Sequence, residues 1–365
     1  MSTSHMQINP RLIAALTGGD LSAIDDKPTI DMIPGKYAKR IYQNIHRVEL
    51  KFPSNPHWLY CNHCGKKGKY DLGLVLVDVE KIKNQSSLLG VPSSAEIMKF
   101  IQPTGYFRCK HCNRAGDWFS DSSYFQFAVF SQLIMEEVDD ISGFAVGSYA
   151  LYDGMKPHWA TDAEEHYLDK IEQEQETDKA YIWNRLGNLY YSGGRPELAG
   201  AALEHSIKLD VTQMESHFTL GNLLYDIGEL ESASFHYRNM CLHAQHYKKL
   251  KPEDIRMMLA EGLSYAMDIH IASNKQIPFL PVVEDAEPFL GKENLEKEIE
   301  QRQEKHISFH LHPDDVESFF PLAELFMGDQ KKAIPKRKRR IEKAMVHSSG
   351  KKRKAKQKKK KKMKK

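Results

Sequence analysis

Two short cysteine motifs constrain this chain more than any other feature of its sequence. Four of its five cysteines form two C-x2-C hooks, at 61–64 and 109–112, separated by residues 65–108. Two residues between thiolates allow a tight turn to direct both sulfurs at one ion, and four thiolates suit tetrahedral Zn²⁺. We therefore predict a structural zinc site. Its ligands are Cys61, Cys64, Cys109 and Cys112.

Other uses of the four cysteines remain open from the sequence. A pair of redox dithiols, unrelated free thiols and a four-cysteine iron–sulfur cluster would each need the same residues. Catalytic zinc is not expected, because four thiolates leave no coordination position for water. His63 and His111 lie inside the hooks and are the alternative ligands, but we expect them to be solvated.

The segments around the hooks predict a small sheet. Strands are expected at 58–60, 70–79 and 105–108, with a short helix at 93–100. This order resembles a zinc ribbon with a helical insertion, because the spacer exceeds the common 15–20 residues. In such a module the ion replaces a core that so few strands could not supply.

The net charge of +3 conceals a strong asymmetry. Residues 331–365 contain 20 Lys and Arg and one acid, which leaves 32 basic and 48 acidic residues in 1–330, a balance of −16. A low-complexity basic segment cannot bury a core, so we predict that 331–365 is a disordered tail.

The chain has no apolar run long enough for a membrane span and no signal-peptide pattern at its start. Thiols spaced as metal ligands fit a reducing compartment. We therefore expect a cytoplasmic protein, or a nuclear one if the source cell has a nucleus, where the basic tail could act as an import signal.

The second half contains an internal repeat. Residues 183–190 align with 217–224 at an offset of 34, and the same offset pairs Gly187 with Gly221 and Ala199 with Ala233. A period of 34 with large, Leu-Gly, aromatic and small positions in this order is the tetratricopeptide pattern. Residues 180–247 resemble that family, and 250–272 form a partial third unit.

The predicted fold class is mainly α with a small β zinc ribbon. A strand and turn are expected at 143–154, and a capping box at 161–164 is expected to open a helix. The predicted domains are a helical segment (1–50), the zinc-ribbon-like module (51–155), the repeat array (160–272), a linker (273–291), a helical segment (292–330) and the tail (331–365). The order of ribbon and short array also resembles uncharacterised bacterial repeat proteins.

The tetratricopeptide resemblance implies protein binding through a concave helical groove rather than catalysis. It implies peptide contacts for Asn188 and Asn222, which follow Leu-Gly in the two repeats. We add Asn184 and Tyr191 as candidate groove residues. The alternative is that these asparagines satisfy neighbouring helix ends. The leading hypothesis is a non-enzymatic adaptor with a protein or peptide partner and no small-molecule substrate.

The second hypothesis is a protein that binds RNA, DNA or ribosomes through its tail and ribbon. Clustered cations neutralise phosphates and release counterions. The candidate residues are Lys336, Arg337, Lys338, Arg339, Arg340, Lys351, Lys352, Arg353 and Lys354, with Lys66, Lys67, Lys69, Arg108, Lys110 and Arg114 around the hooks. The tail could instead solubilise the protein or pair with its acidic body.

No sequence motif favours an enzyme. The glycine pairs at 18–19 and 193–194 lack the residues of a phosphate-binding loop. Cys241 aligns with Ile207 and is expected to be a packed core residue. His306, His310 and His312 could form a second metal site, but we expect solvated histidines.

Overall fold

The computed structural model describes residues 7–83, 94–134, 143–173, 178–285 and 309–341. It is mostly helical with small sheets, as the sequence predicts. The chain divides into two compact units, Met1–Leu209 (unit 1) and Asp210–Lys365 (unit 2). None of the helices described is both long and apolar enough to cross a membrane.

Unit 1 carries α-helices at both ends of its sequence and strands between them. The described helices are α1 (Pro10–Thr17), α2 (Ala38–Gln43), α3 (Val79–Lys83), α4 (Ser94–Ile97), α5 (Ser123–Ile134), α6 (Ala160–Glu172), α7 (Lys179–Ser192) and α8 (Pro196–Leu209). Helix α1 shows why its sequence folds locally. Asn9 caps it by accepting from the N–H of Arg11, and Gly18 ends it in the left-handed region (φ 67°).

In the described part of unit 1, six strands form two three-stranded sheets. They are β1 (Pro56–Cys61), β2 (Lys67–Asp71), β3 (Val75–Val77), β4 (Ile101–Pro103), β5 (Trp118–Phe119) and β6 (Phe144–Val146). The first sheet has the order β2-β1-β5 and is antiparallel throughout. The second has the order β4-β3-β6, with β3 and β6 parallel.

Two strand predictions need correction. The strand expected at 70–79 is two strands, because Gly73 turns the chain at φ 58° and a side chain there would meet Thr104 Oγ1 at 2.7 Å. The strand expected at 105–108 lies earlier, at Ile101–Pro103. The strand and turn expected at 143–154 are both present, with the strand at Phe144–Val146 and a turn in which the Gly154 N–H donates to Leu151 O.

The predicted capping box at 161–164 is displaced. Helix α6 has Trp159 at its N-cap, and the carboxylate of Asp162 accepts from the Trp159 N–H at 2.8 Å. Thr161 is therefore already inside the helix. Glu164 is not a capping residue but is fully buried.

Helices α7 and α8 form a close hairpin in unit 1. A Cβ at Gly187 would lie 2.7 Å from Leu203 Cγ, so only glycine fits this crossing. Helix α6 packs on α7, and α2 packs on α8. Gly194 makes the turn between α7 and α8 at φ 75°.

Unit 2 repeats the hairpin with α9 (Met214–Asp226) and α10 (Leu230–His243). Helix α10 begins 34 residues after α8, which matches the sequence offset. A Cβ at Gly221 would lie 2.8 Å from Tyr237 Cε1. Helix α11 (Pro252–Ala272) packs on α10 and occupies the predicted partial third unit as one continuous helix.

The remainder of unit 2 covers the predicted linker and the second predicted helical segment. The described part of the linker, 273–285, is packed, because buried Asp285 binds Arg238 of α10 through both carboxylate oxygens. Helix α12 (Phe320–Phe326) follows a 3-10 turn at Val316–Phe319. Pro321 lies in the first turn of α12, where the N–H that proline lacks would have no partner within the helix.

The predicted start of the disordered tail, residue 331, is too early in the sequence. Ile334 and Ile341 are buried, and 3-10 turns occupy Gly328–Ala333 and Lys336–Lys338. Residues 331–341 therefore belong to the folded part of unit 2. The rest of the predicted tail, 342–365, and residues 292–308 of the predicted helical segment lie outside the described residues.

Candidate metal centre

The four hook cysteines converge as predicted. Their Sγ atoms all lie within 4.8 Å of one another, with 3.7 Å between Cys61 and Cys112 and 3.7 Å between Cys64 and Cys109. Metal–sulfur bonds of about 2.3 Å in a tetrahedron place sulfurs roughly 3.8 Å apart. The four cysteines could therefore bind one metal ion with little rearrangement.

The two hooks have the same backbone conformation. In the first, the N–H of Cys61 donates to Lys66 O and the N–H of Gly65 donates to Cys61 O. In the second, Cys109 N–H donates to Arg114 O and Asn113 N–H donates to Cys109 O.

Each turn places its fifth residue in the left-handed region. Gly65 has φ 69° and Asn113 has φ 57°. Glycine and asparagine adopt this conformation most readily, so the residue types explain the turns.

Backbone donors and one tyrosine surround the sulfurs. Burial raises the pKa of the Cys61 thiol to about 12, against the effect of N–H groups donated by Cys64 and His63. Burial also opposes ionisation of Cys109, but N–H donors from Cys112 and His111 lower its pKa to about 7. Donors of this kind stabilise thiolates, which are the form that binds metals.

Tyr70 links the site to the sheet beneath it. Its hydroxyl donates to Cys109 Sγ at 3.8 Å and accepts from the N–H of Lys110 at 3.2 Å. The Tyr70 ring packs against Phe107 and Trp118 at centroid distances of 5.1 and 4.8 Å. Cys61 ends β1 and pairs with Trp118 of β5. The sheet therefore brings the first hook against the residues that follow the second.

The two hook histidines do not join the cysteine cluster. Both are exposed, and His63 Nε2 lies 3.3 Å from Ala115 O. The only group of three or more potential ligands among the described residues is the four cysteines. His310 and His312 are not part of such a group, and His306 lies outside the described residues. Cys241 is buried, and burial raises its thiol pKa, as expected for a core cysteine.

A buried carboxylate network next to the metal centre escaped sequence analysis. Glu164 of α6 is fully buried and accepts from four side chains. The donors are Arg108 Nη1 (3.0 Å), Asn9 Nδ2 (2.9 Å), Tyr106 OH (2.8 Å) and Tyr190 OH (2.6 Å). This network joins the N-terminal segment, the second hook and α7. No local sequence pattern links Glu164 to its four donors. The sequence singled out Glu164 only as part of the predicted capping box.

Arg108 is consequently not a surface cation. It is 7% exposed, pairs with Glu164 and donates to Asn113 O at 2.9 Å. We withdraw it from the candidate nucleic-acid contacts. The other five cations around the hooks are exposed. They are Lys66, Lys67, Lys69, Lys110 and Arg114.

The candidate partner-binding residues differ in their exposure. Asn184 is fully buried, and its Oδ1 accepts from Asn188 and Arg185, so we withdraw it as a surface contact. Asn188 and Tyr191 are half-buried. Asn222 is also half-buried, and its Oδ1 accepts from the Tyr237 hydroxyl at 2.8 Å. This bond joins the two helices of the hairpin, and it is not to a helix end, which the alternative interpretation expects.

The first basic run of the tail is held to unit 2 by its backbone. The Glu324 carboxylate accepts from the N–H groups of Arg340 and Ile341, and Arg256 donates both to Glu324 and to Lys338 O. The side chains of Lys336, Arg337 and Lys338 remain exposed. The candidate residues Lys351, Lys352, Arg353 and Lys354 lie outside the described residues.

No family model matches the chain, and neither a curated protein nor a solved structure is significantly similar to it.

Proposed function

We propose that this chain is a non-enzymatic adaptor in which a zinc-stapled module accompanies tetratricopeptide-like helix pairs. The observation that carries the proposal is the repeated hairpin. Helices α7 and α8 in unit 1 and α9 and α10 in unit 2 recur with the same 34-residue offset and the same glycine-mediated crossing. Arrays of such hairpins commonly serve as surfaces for other proteins.

Zinc is the ion that the cysteine cluster suits best. Sulfur separations of 3.7 Å fit one ion, whereas a cluster of several irons would hold its four cysteines on different metal atoms and farther apart. Four thiolates close the coordination sphere, so the ion would be structural. The module around it, with two short sheets, corresponds to an elaborated zinc ribbon.

The adaptor proposal is tested through Asn188 and Asn222. The full-length chain and its Asn188→Ala, Asn222→Ala double variant are used to capture partners after cross-linking in extract. We expect at least one partner to be recovered by the native chain and reduced several-fold with the double variant. Asn44→Ala is the matched control, since Asn44 lies at the end of α2 and its side-chain amide donates to Arg40 O of the same helix. Equal recovery from all three proteins would contradict the role of these asparagines.

A second candidate function is contact with nucleic acid or ribosomes. The observation in its favour is that the Lys336–Lys338 side chains are exposed while their backbone is anchored by Arg256 and Glu324. Replacing Lys336, Arg337 and Lys338 by serine should weaken binding of any oligonucleotide and reduce its dependence on salt. Unchanged affinity at two salt concentrations would remove this segment from the candidate site.

A further inference from the structure

One face of the sheet β2-β1-β5 presents aromatic rings to solvent. Side chains alternate along β1, so His57, Leu59 and Cys61 are buried while Trp58 and Tyr60 point to the opposite face. Trp58 is 52% exposed, whereas the other three tryptophans of the chain are at most 5% exposed. An exposed tryptophan in the central strand of a sheet is a recurrent property of binding surfaces.

The neighbouring strand adds a third ring to this face. Phe119 of β5 pairs with Tyr60 across the strands, and their ring centroids are 6.0 Å apart. Residues two apart on one strand are separated by roughly 6.6 Å. Trp58, Tyr60 and Phe119 therefore form a short row of rings. We call these three residues, together with Lys67 and Lys69 on the neighbouring strand, the aromatic face.

Lysines lie among the rings of the aromatic face. Lys69 lies directly opposite Trp58, and Lys67 lies opposite Tyr60 with its Nζ 4.6 Å from the ring centroid. Lys66, which precedes β2, is exposed. Two carboxylates of this face, those of Asp121 and Asp71, have partners within the protein. Asp121 binds Lys67 at 3.0 Å, and Asp71 accepts from the N–H groups of Asn55 and Gly73.

We propose that the aromatic face binds single-stranded nucleic acid. A base would stack on Trp58, and the phosphates would be neutralised by Lys66 and Lys69. Rings with interleaved lysines are the combination that single strands require, because unpaired bases expose their π faces and a duplex hides them. The inference rests on the second candidate function, contact with nucleic acid. To the basic run at 336–340 it adds a candidate binding surface on unit 1.

Tryptophan fluorescence tests the proposal directly on the full-length protein. Because Trp58 is the exposed tryptophan, acrylamide should quench its emission selectively, and a stacked base should both quench that emission and protect it from acrylamide. The probes are a single-stranded oligothymidine, a duplex of equal phosphate count and polyglutamate. Quenching by oligothymidine alone is the expected result. Equal quenching by the duplex would overturn base stacking, and equal quenching by polyglutamate would favour an acidic peptide as the occupant.

Variants measure the contribution of the ring. Trp58→Ala should weaken oligothymidine binding about tenfold, within the range for loss of one stacked base, whereas Trp58→Phe should retain most of the affinity. Tyr124→Ala is the control, because Tyr124 is 60% exposed on α5 and lies outside the aromatic face. Circular dichroism and metal content establish that each variant is folded. Equal affinities of the native, Trp58→Ala and Tyr124→Ala proteins would contradict the proposal.

A last arm separates this inference from the function on which it rests. Binding is followed by fluorescence anisotropy of labelled oligothymidine, with and without serine at positions 336–340. Binding that leaves Trp58 emission unchanged and disappears in the serine variant would overturn the aromatic face but support the tail. Absence of binding in every protein would contradict both.

Discussion

The hook region and the helical hairpins are stabilised by different kinds of contact. Around the hooks, two sheets of very short strands converge on four thiolates that are far apart in sequence. In the hairpins α7/α8 and α9/α10, glycines allow helices adjacent in sequence to pack closely. The hook region should therefore depend on an ion and on long-range polar contacts, whereas the hairpins should depend on shape.

The largest expected effect is the loss of one metal ligand. Cys61→Ser or Cys109→Ser should abolish stoichiometric metal binding and destabilise the hook region by several kcal/mol, because zinc binding at such sites contributes about 10–16 kcal/mol. Near-ultraviolet circular dichroism should report the loss of structure around Trp118. The far-ultraviolet signal of the helices should be largely kept. His63→Ala is the control, since His63 is exposed and outside the cysteine cluster. If the near-ultraviolet and far-ultraviolet signals were lost together, the helical hairpins would also depend on the metal ion, contrary to the contrast drawn above.

The next effect concerns two fully buried glutamates, Glu164 in unit 1 and Glu324 in unit 2. Glu164→Ala removes the 3.0 Å partner of buried Arg108 and leaves it the Glu165 carboxylate at 3.8 Å, and Glu324→Ala removes the carboxylate partner of buried Arg256. Removing one partner of a buried pair costs roughly 3–5 kcal/mol. Denaturant unfolding should show both losses, and Glu317→Ala, whose pair with Arg340 is exposed, should cost less than about 1 kcal/mol. A small loss at Glu164 would show that its network is not what ties the hook region to α6.

Substitution of the crossing glycines should have an intermediate effect. Gly187→Ala and Gly221→Ala place a methyl group 2.7 and 2.8 Å from Leu203 and Tyr237, and such overpacking costs about 1–3 kcal/mol. Gly18→Ala provides the contrast, because φ 67° strains the backbone but no atom lies within 4 Å. Thermal unfolding of the variants with metal present measures the difference. If the crossing variants were as stable as the native chain, shape would not hold the hairpins together.

The smallest expected effect is a pH dependence in unit 2. Burial, followed by the nearby His243, lowers the pKa of His217 to about 3, so the folded state keeps this ring neutral while the unfolded chain takes up a proton near pH 6.5. The unfolded state therefore binds more protons between those values, and the free energy of unfolding falls as the pH falls. We expect a loss of about 1 kcal/mol at pH 5.5 from this ring.

Geometry supports the neutral form of His217. Its Nε2 lies 3.0 Å from Val211 O and its Nδ1 lies 2.9 Å from His236 Nδ1, so the second nitrogen accepts when the first donates. The measurement is the slope of unfolding free energy against pH in the native chain and in His217→Gln. Metal-saturated protein is used, because protons also compete for thiolates. An identical slope in both proteins would contradict the assignment.

Features that depend on residues close in sequence could be predicted from the sequence, whereas features that depend on distant residues could not. The four metal ligands were predictable because each hook is a local turn, and the helix pairs were predictable because their pattern repeats. Glu164 was not, since its partners Asn9, Arg108 and Tyr190 come from distant parts of the chain. The boundary of the tail was wrong because composition averaged over Ile334 and Ile341, which anchor residues that otherwise resemble the rest of the basic run.

The metal content of the purified full-length chain tests the central claim most directly. Native mass spectrometry alongside elemental analysis should find one zinc ion per chain, held by the one four-cysteine group of the described residues. The ion should be lost in Cys61→Ser and Cys109→Ser and kept in His63→Ala. A metal-free native protein, or a cysteine variant that retains the full complement of zinc, would contradict the account.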